Sequence, residues 1–181
     1  MLGVVWQGNQ HNRYFLFDFE EPIRLHDHGD VGAVVPTSMI SALWQPSFGE
    51  IDAAVASARA DRVVLLGTPP PKADEAVRAG LAREPVLLRA IAAAGESADT
   101  IPITPAAVRV GLWNILQDDL EAQASRIGAV FVPVPATAQT AEGCLKPEYS
   151  LDDATHANGA FGALMFNEME RSLARAEVPS S

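Results

Sequence analysis

Three short runs, Leu2-Gly-Val-Val-Trp6, Arg62-Val-Val-Leu-Leu66 and Ala129-Val-Phe-Val132, constrain this chain more than any other feature. None alternates apolar with polar residues, so none offers a face to water. That is the pattern of strands covered on both sides in a parallel sheet. Loop-forming residues follow each run: Gly8-Asn9, Gly67-Thr-Pro-Pro-Pro71 and Pro133-Val-Pro135. Loops at strand C-termini are where open α/β sheets bind ligands.

Helical patterns fill the intervals, as parallel strands require. Thr37 or Ser38 can cap a helix reaching about Trp44, and Ser47-Phe-Gly-Glu50 has capping-box spacing ahead of Ile51-Asp-Ala-Ala-Val55. Residues 72–83 and 86–94 read as two helices parted by Pro85. Thr104-Pro105 starts a helix to about Ile127, stopped by Gly128. Thr155 or Asn158 opens the last helix, whose apolar stripe is Phe161, Leu164, Met165, Met169 and Leu173. Tyr14-Phe-Leu-Phe-Asp-Phe19 suits either a short strand or a packed loop. Trp6, Trp44 and Trp113 are expected in the core or an interface.

With right-handed crossovers these elements predict an α/β fold, a three-layer αβα sandwich on a mainly parallel sheet. Three principal strands leave at least one long apolar edge unpaired, which proteins normally cover. Further strands upstream of Met1, or a second copy pairing along that edge, are therefore expected. At 181 residues the chain is one domain over residues 1–175, followed by a frayed tail at 176–181.

A net charge of −10 opposes a nucleic-acid groove, which needs a concentrated basic face. No apolar run approaches the roughly 18 residues of a membrane span. Cys144 is the only cysteine, so no internal disulfide forms, and a reducing, cytoplasmic setting is expected. No phosphate-binding loop is evident, since the prolines after Gly67 remove the N–H groups that a phosphate cradle uses. Thr68-Pro69-Pro70-Pro71 reads as a rigid wall at the ligand crevice or a stiff turn into a helix.

Asp153-Ala-Thr-His156, immediately before the last helix, sets a carboxylate within reach of an imidazole. A carboxylate accepting from one ring nitrogen fixes the tautomer and leaves the other as a general base. Asn9 could direct its amide N–H at a developing oxyanion, with Gly8 allowing close approach of the backbone and His11 beside it.

With these two motifs, in this order around the intervening elements, most of the chain resembles the SGNH/GDSL hydrolase superfamily of flavodoxin-like serine esterases and lipases. The resemblance implies His156 as general base, Asp153 as its orienting carboxylate, Asn9 as oxyanion donor, and Gly8 and His11 at the substrate. It implies a small-molecule ester substrate and no cofactor. The chain departs from the pattern where Gln7 replaces the first Gly of a Gly-x-Asn segment and Gln10 replaces a common Asp. The Gly-Asp-Ser nucleophile turn has no counterpart. Ser38, Ser41, Ser47, Ser57, Ser97, Ser125 and Ser150 read as caps or helix surface, and Cys144 reads as a small hydrophobe despite its nearness in sequence to His156. The attacking serine is thus expected upstream of Met1 or lost, and these 181 residues alone are expected to hydrolyse esters poorly. A domain that only binds a ligand or partner is the alternative. A metal-dependent hydrolase built on His26, His28 and Asp30 is a lesser one, short of the third well-placed zinc ligand.

Overall fold

Val64, Leu65 and Leu66 decide the architecture, because successive strand residues point to opposite faces and all three are buried. Leu65 joins a core cluster with Ile40, Trp44, Phe48, Ile51, Leu112, Leu116 and Leu120. Val64 and Leu66 join another with Val132, Phe161, Met165 and Met169. Helices therefore pack on both faces of the strand.

The computed structural model describes residues 1–4, 16–17, 23–25 and 33–176. In chain order these form β1 (Leu2–Val4), β2 (Ile23–Leu25), β3 (Ala33–Val35), α1 (Thr37–Trp44), α2 (Phe48–Ala58), β4 (Val63–Leu66), α3 (Asp74–Leu81), α4 (Pro85–Ala93), α5 (Ala106–Arg126), β5 (Val130–Val132) and α6 (Gly159–Ala176). The three apolar runs pair as anticipated. They form a parallel sheet in the order β1-β4-β5, with Leu2 opposite Val63 and Val64 opposite Val130. The fold is α/β with a small parallel sheet, α1, α2 and α5 contributing to the core on one face and α6 on the other. Among the described residues the outer strands β1 and β5 are each three residues long.

A second parallel pair, β2-β3 with Ile23 opposite Ala33, is not foreseen from the sequence. Each run is too short to carry a period, yet Leu25 enters the core beside α5. The caps of α1 and α2 also differ from expectation. Pro36 precedes α1, so Thr37 and Ser38 lie within the helix. Ser47 has helical angles (φ −71°, ψ −18°) and makes no side-chain cap. A 3₁₀ turn over Gln45–Ser47 runs directly into α2 and removes the extended residue a capping box needs. Two helices do part near Pro85, but Pro85 is the first residue of α4 rather than a break ahead of it, and α5 follows Pro105. Gly128, just past the end of α5, takes φ +68°, the left-handed conformation that favours glycine.

Asn158, not Thr155, caps α6: its Oδ1 accepts from the N–H groups of Ala160 (2.9 Å) and Phe161 (3.3 Å). The predicted stripe is then buried or partly buried against the sheet. Of the Tyr14–Phe19 segment, Leu16 and Phe17 lie within the described residues. Leu16 is buried, and Phe17 bridges Ile103. Trp44 and Trp113 are core residues with bonded indole N–H groups, to Asp119 and to the Thr68 carbonyl. Trp6 lies outside the described residues. No described helix is long and apolar enough to cross a membrane.

Leu65 has no exposure and shares one core cluster with residues of α1, α2 and α5. Leu65→Ala is expected to cost about 3 kcal/mol of unfolding free energy by urea titration, because the cavity lies where four elements meet.

Candidate functional site

The strap after β4 is built from residues that cannot satisfy themselves. Three prolines supply no N–H, and Thr68 is buried. Helix α5 supplies the partners. Gln117 accepts from the Thr68 N–H (3.2 Å) and donates to the Thr68 hydroxyl (2.8 Å), while the Trp113 indole N–H donates to the Thr68 carbonyl (2.9 Å). The Leu145 N–H donates to the Pro71 carbonyl at 2.8 Å. The strap is mostly buried, and the crevice wall begins at its end, with Lys72.

Lys72 is carried inward, its side chain 1% exposed. Its ammonium donates to the carbonyls of Leu151 and Asp153, each at 2.6 Å, and to Asp153 Oδ1 at 3.2 Å. Burial lowers its pKa, and the bond and charge of Asp153 oppose that shift. The main chain of Lys72 is held by buried Arg109, which donates to the Lys72 carbonyl (2.9 Å), the Thr104 carbonyl (2.8 Å) and Asp74 Oδ1 (2.5 Å).

Helix α3 forms the platform for the turn above Lys72. A β-carbon on Gly80 would stand 2.1 Å from the carbonyl carbon of Asp153 and 2.3 Å from the Ala154 nitrogen. The backbones meet with no space for a methyl group. Glu84, just beyond α3, accepts from the Ala154 N–H at 2.7 Å. Arg83 pairs with Asp152 at the surface.

This seating arranges the two oxygens of Asp153 differently. Oδ1 accepts from the N–H groups of His156 (2.8 Å) and Thr155 (3.0 Å) and from Lys72. Oδ2 faces His156 Nδ1 at 2.8 Å. Partial burial would raise the carboxyl pKa, but the bonds from His156, Thr155 and Lys72 outweigh it and bring it from 3.8 to about 2. Asp153 is an anion at neutral pH, and its Oδ2 is placed to accept from an Nδ1–H of His156, an arrangement that would leave Nε2 without that proton. The imidazole is 60% exposed, against 16% for Asp153. A cavity of about 460 Å³ adjoins the turn, lined by Lys72, Asp153 and apolar Ala73, Ala76, Leu145 and Leu151.

Glu84, Asp153 and His156 bring one ligand atom each within 4.8 Å of one another. Their chemistry fits a cation poorly. Both oxygens of Asp153 are already engaged, by His156, Thr155 and Lys72, one oxygen of Glu84 is held by Ala154, and the Lys72 ammonium, itself a cation, stands 3.2 Å from the Asp153 carboxylate. Cys144 is buried and its thiol pKa is raised, chiefly by burial, which disfavours the thiolate that a nucleophile needs.

The structure thus joins Asp153 and His156, as the sequence predicts. Gly8, Asn9 and His11 lie outside the described residues, as do His26, His28 and Asp30. Lys72, Gly80 and Glu84 were missed. A lone lysine after three prolines and a glycine within a helix carry no motif, although a glycine inside a helix is a recognised mark of close packing. No family model, curated protein or solved structure matches the chain.

In an open helix, Gly→Ala stabilises by about 1 kcal/mol. Gly80→Ala is expected to reverse that sign and cost about 1–3 kcal/mol in denaturant titration, with His156 resonances displaced, because the 153–154 backbone must retreat.

Because the folded pKa of Asp153 is depressed, its contribution is complete above the unfolded value of 3.8 and is lost as pH falls through about 2. Across that window the protein is expected to lose on the order of 1–2 kcal/mol more than Asp153→Asn does, after allowance for solvent screening, as read from denaturation midpoints.

Proposed function

We propose that the chain is an acyl-ester hydrolase domain of flavodoxin-like SGNH type, with His156 as general base and Asp153 as its orienting carboxylate. The single observation that carries this reading is the 2.8 Å contact of Nδ1 with a carboxylate oxygen whose partner oxygen is already bonded to three donors. In the reaction as proposed, Nε2 takes the proton of an attacking serine hydroxyl, a nucleophile not identified among the serines of this chain, as its oxygen bonds to the ester carbonyl carbon. Asp153 stabilises the resulting imidazolium, and the carbonyl oxygen becomes an oxyanion received by the Asn9 amide. On collapse the imidazolium returns its proton to the departing alcohol, and water releases the acyl group by the same route. The cavity beside the turn, with its apolar lining, supports a small-molecule substrate.

A second reading, a domain that binds its ligand without chemistry, is favoured by the surroundings of the imidazole. Among the described residues, the hydroxyl beside it is that of Thr155, 3.5 Å from Nδ1, the nitrogen already facing Asp153. Ser57 and Ser125 donate to carbonyls of their own helices, and Ser150 to the Lys146 carbonyl.

Short p-nitrophenyl esters separate the two. Hydrolysis that falls about 10²–10⁴-fold in kcat/KM with His156→Ala supports the enzyme. Hydrolysis indifferent to that substitution sinks it. Saturable binding of the ester without turnover supports the binding domain.

A further inference from the structure

The Asp153 carboxylate can serve His156 only if one oxygen is kept for the imidazole. Rotation about the terminal torsion of an aspartate is broad and exchanges its two oxygens, so a lone carboxylate on a turn has no fixed division of labour. Here the division is imposed from beneath. The ammonium of Lys72 reaches the same oxygen, Oδ1, as the main-chain N–H groups of Thr155 and His156. Oδ2 is left facing Nδ1. Two further bonds from that ammonium go to main-chain carbonyls at Leu151 and Asp153, so it fixes the path of the turn as well as the carboxylate. Arg109 holds the Lys72 carbonyl from the long helix α5, so the main chain that carries the ammonium is anchored as well.

We propose that Lys72 is a positioning residue for the His156–Asp153 pair: by gathering the Leu151 and Asp153 carbonyls and Asp153 Oδ1 on one buried ammonium, it reserves Oδ2 for Nδ1 and so sets the tautomer of His156. This rests on reading the pair as an acid–base site. Lys72 reaches no reacting atom in that reading and acts entirely through Asp153. A simple ion pair would account for the contact with Oδ1. It would not account for two carbonyl bonds that are shorter than the one to the carboxylate.

The test is nitrogen-15 NMR of the His156 ring at a pH where it is neutral, on the wild-type protein and on Lys72→Met, with ester kinetics alongside. The wild-type ring is expected with its proton on Nδ1, and Lys72→Met is expected to shift it to a mixture of tautomers. Where the ester is hydrolysed, kcat falls by about ten- to a hundredfold while KM holds, since geometry is lost and not the substrate pocket. If Lys72→Met fails to fold, Lys72→Gln takes its place. It keeps polarity but is too short to reach all three oxygens, and the same mixed tautomer is expected. A folded variant whose ring is indistinguishable from wild type overturns the proposal. A tautomer shift in a protein that hydrolyses no ester upholds the positioning by Lys72 and overturns the hydrolase reading, so the two fail separately.

Discussion

An ammonium taken out of water must be given oxygen acceptors, and this requirement at Lys72 organises the functional end of the molecule. The acceptors come from a turn nearly eighty positions later in the chain. Meeting the charge therefore brings the loop after β5 against the strap after β4. Helix α3, which begins two residues after Lys72, provides the floor on which the turn rests. One buried cation thus ties together a strand end, a helix and the approach to the last helix.

Helix α5 makes that burial tolerable. Leu112, Leu116 and Leu120 face the core that contains Leu65, while Trp113 faces the opposite cluster. Three of its side chains bond the backbone of the strap and of the approach to α5: Gln117 and Trp113 at Thr68, Arg109 at Lys72 and Thr104. A proline-rich strap can lie inside the protein because its neighbour supplies what proline withholds. The stiffness of the strap then passes to the side chain at its end.

The sheet was legible because continuous apolar runs bounded by turn residues have few other uses, and the three strands pair as those runs imply. The final helix was legible from its stripe and from Asn158. The β2-β3 pair was not, since three residues carry no period. Ser47 misled because the capping-box spacing ignores the 3₁₀ turn over Gln45–Ser47, which carries Pro46 and runs straight into α2. At the site, Asp153 and His156 were readable because their partnership spans one turn. Lys72, Gly80 and Arg109 were not. An arginine in the first turn of a long helix reads as a solvated surface residue, and what buries Arg109 is tertiary contact with a strap thirty-seven positions away.

The contact at Gly80 bears on how this protein can vary. Alanine is the mildest exchange available to a glycine and is welcome in most helices. Here it would push against main-chain atoms that have no rotamer to change, so the clearance between α3 and the turn is a single hydrogen atom. A helix held to that tolerance cannot slide or roll beneath the imidazole without moving it. Drift in the sequence of α3 is therefore screened by the placement of a side chain on a different loop, and the tightest restriction falls on the residue with no side chain at all.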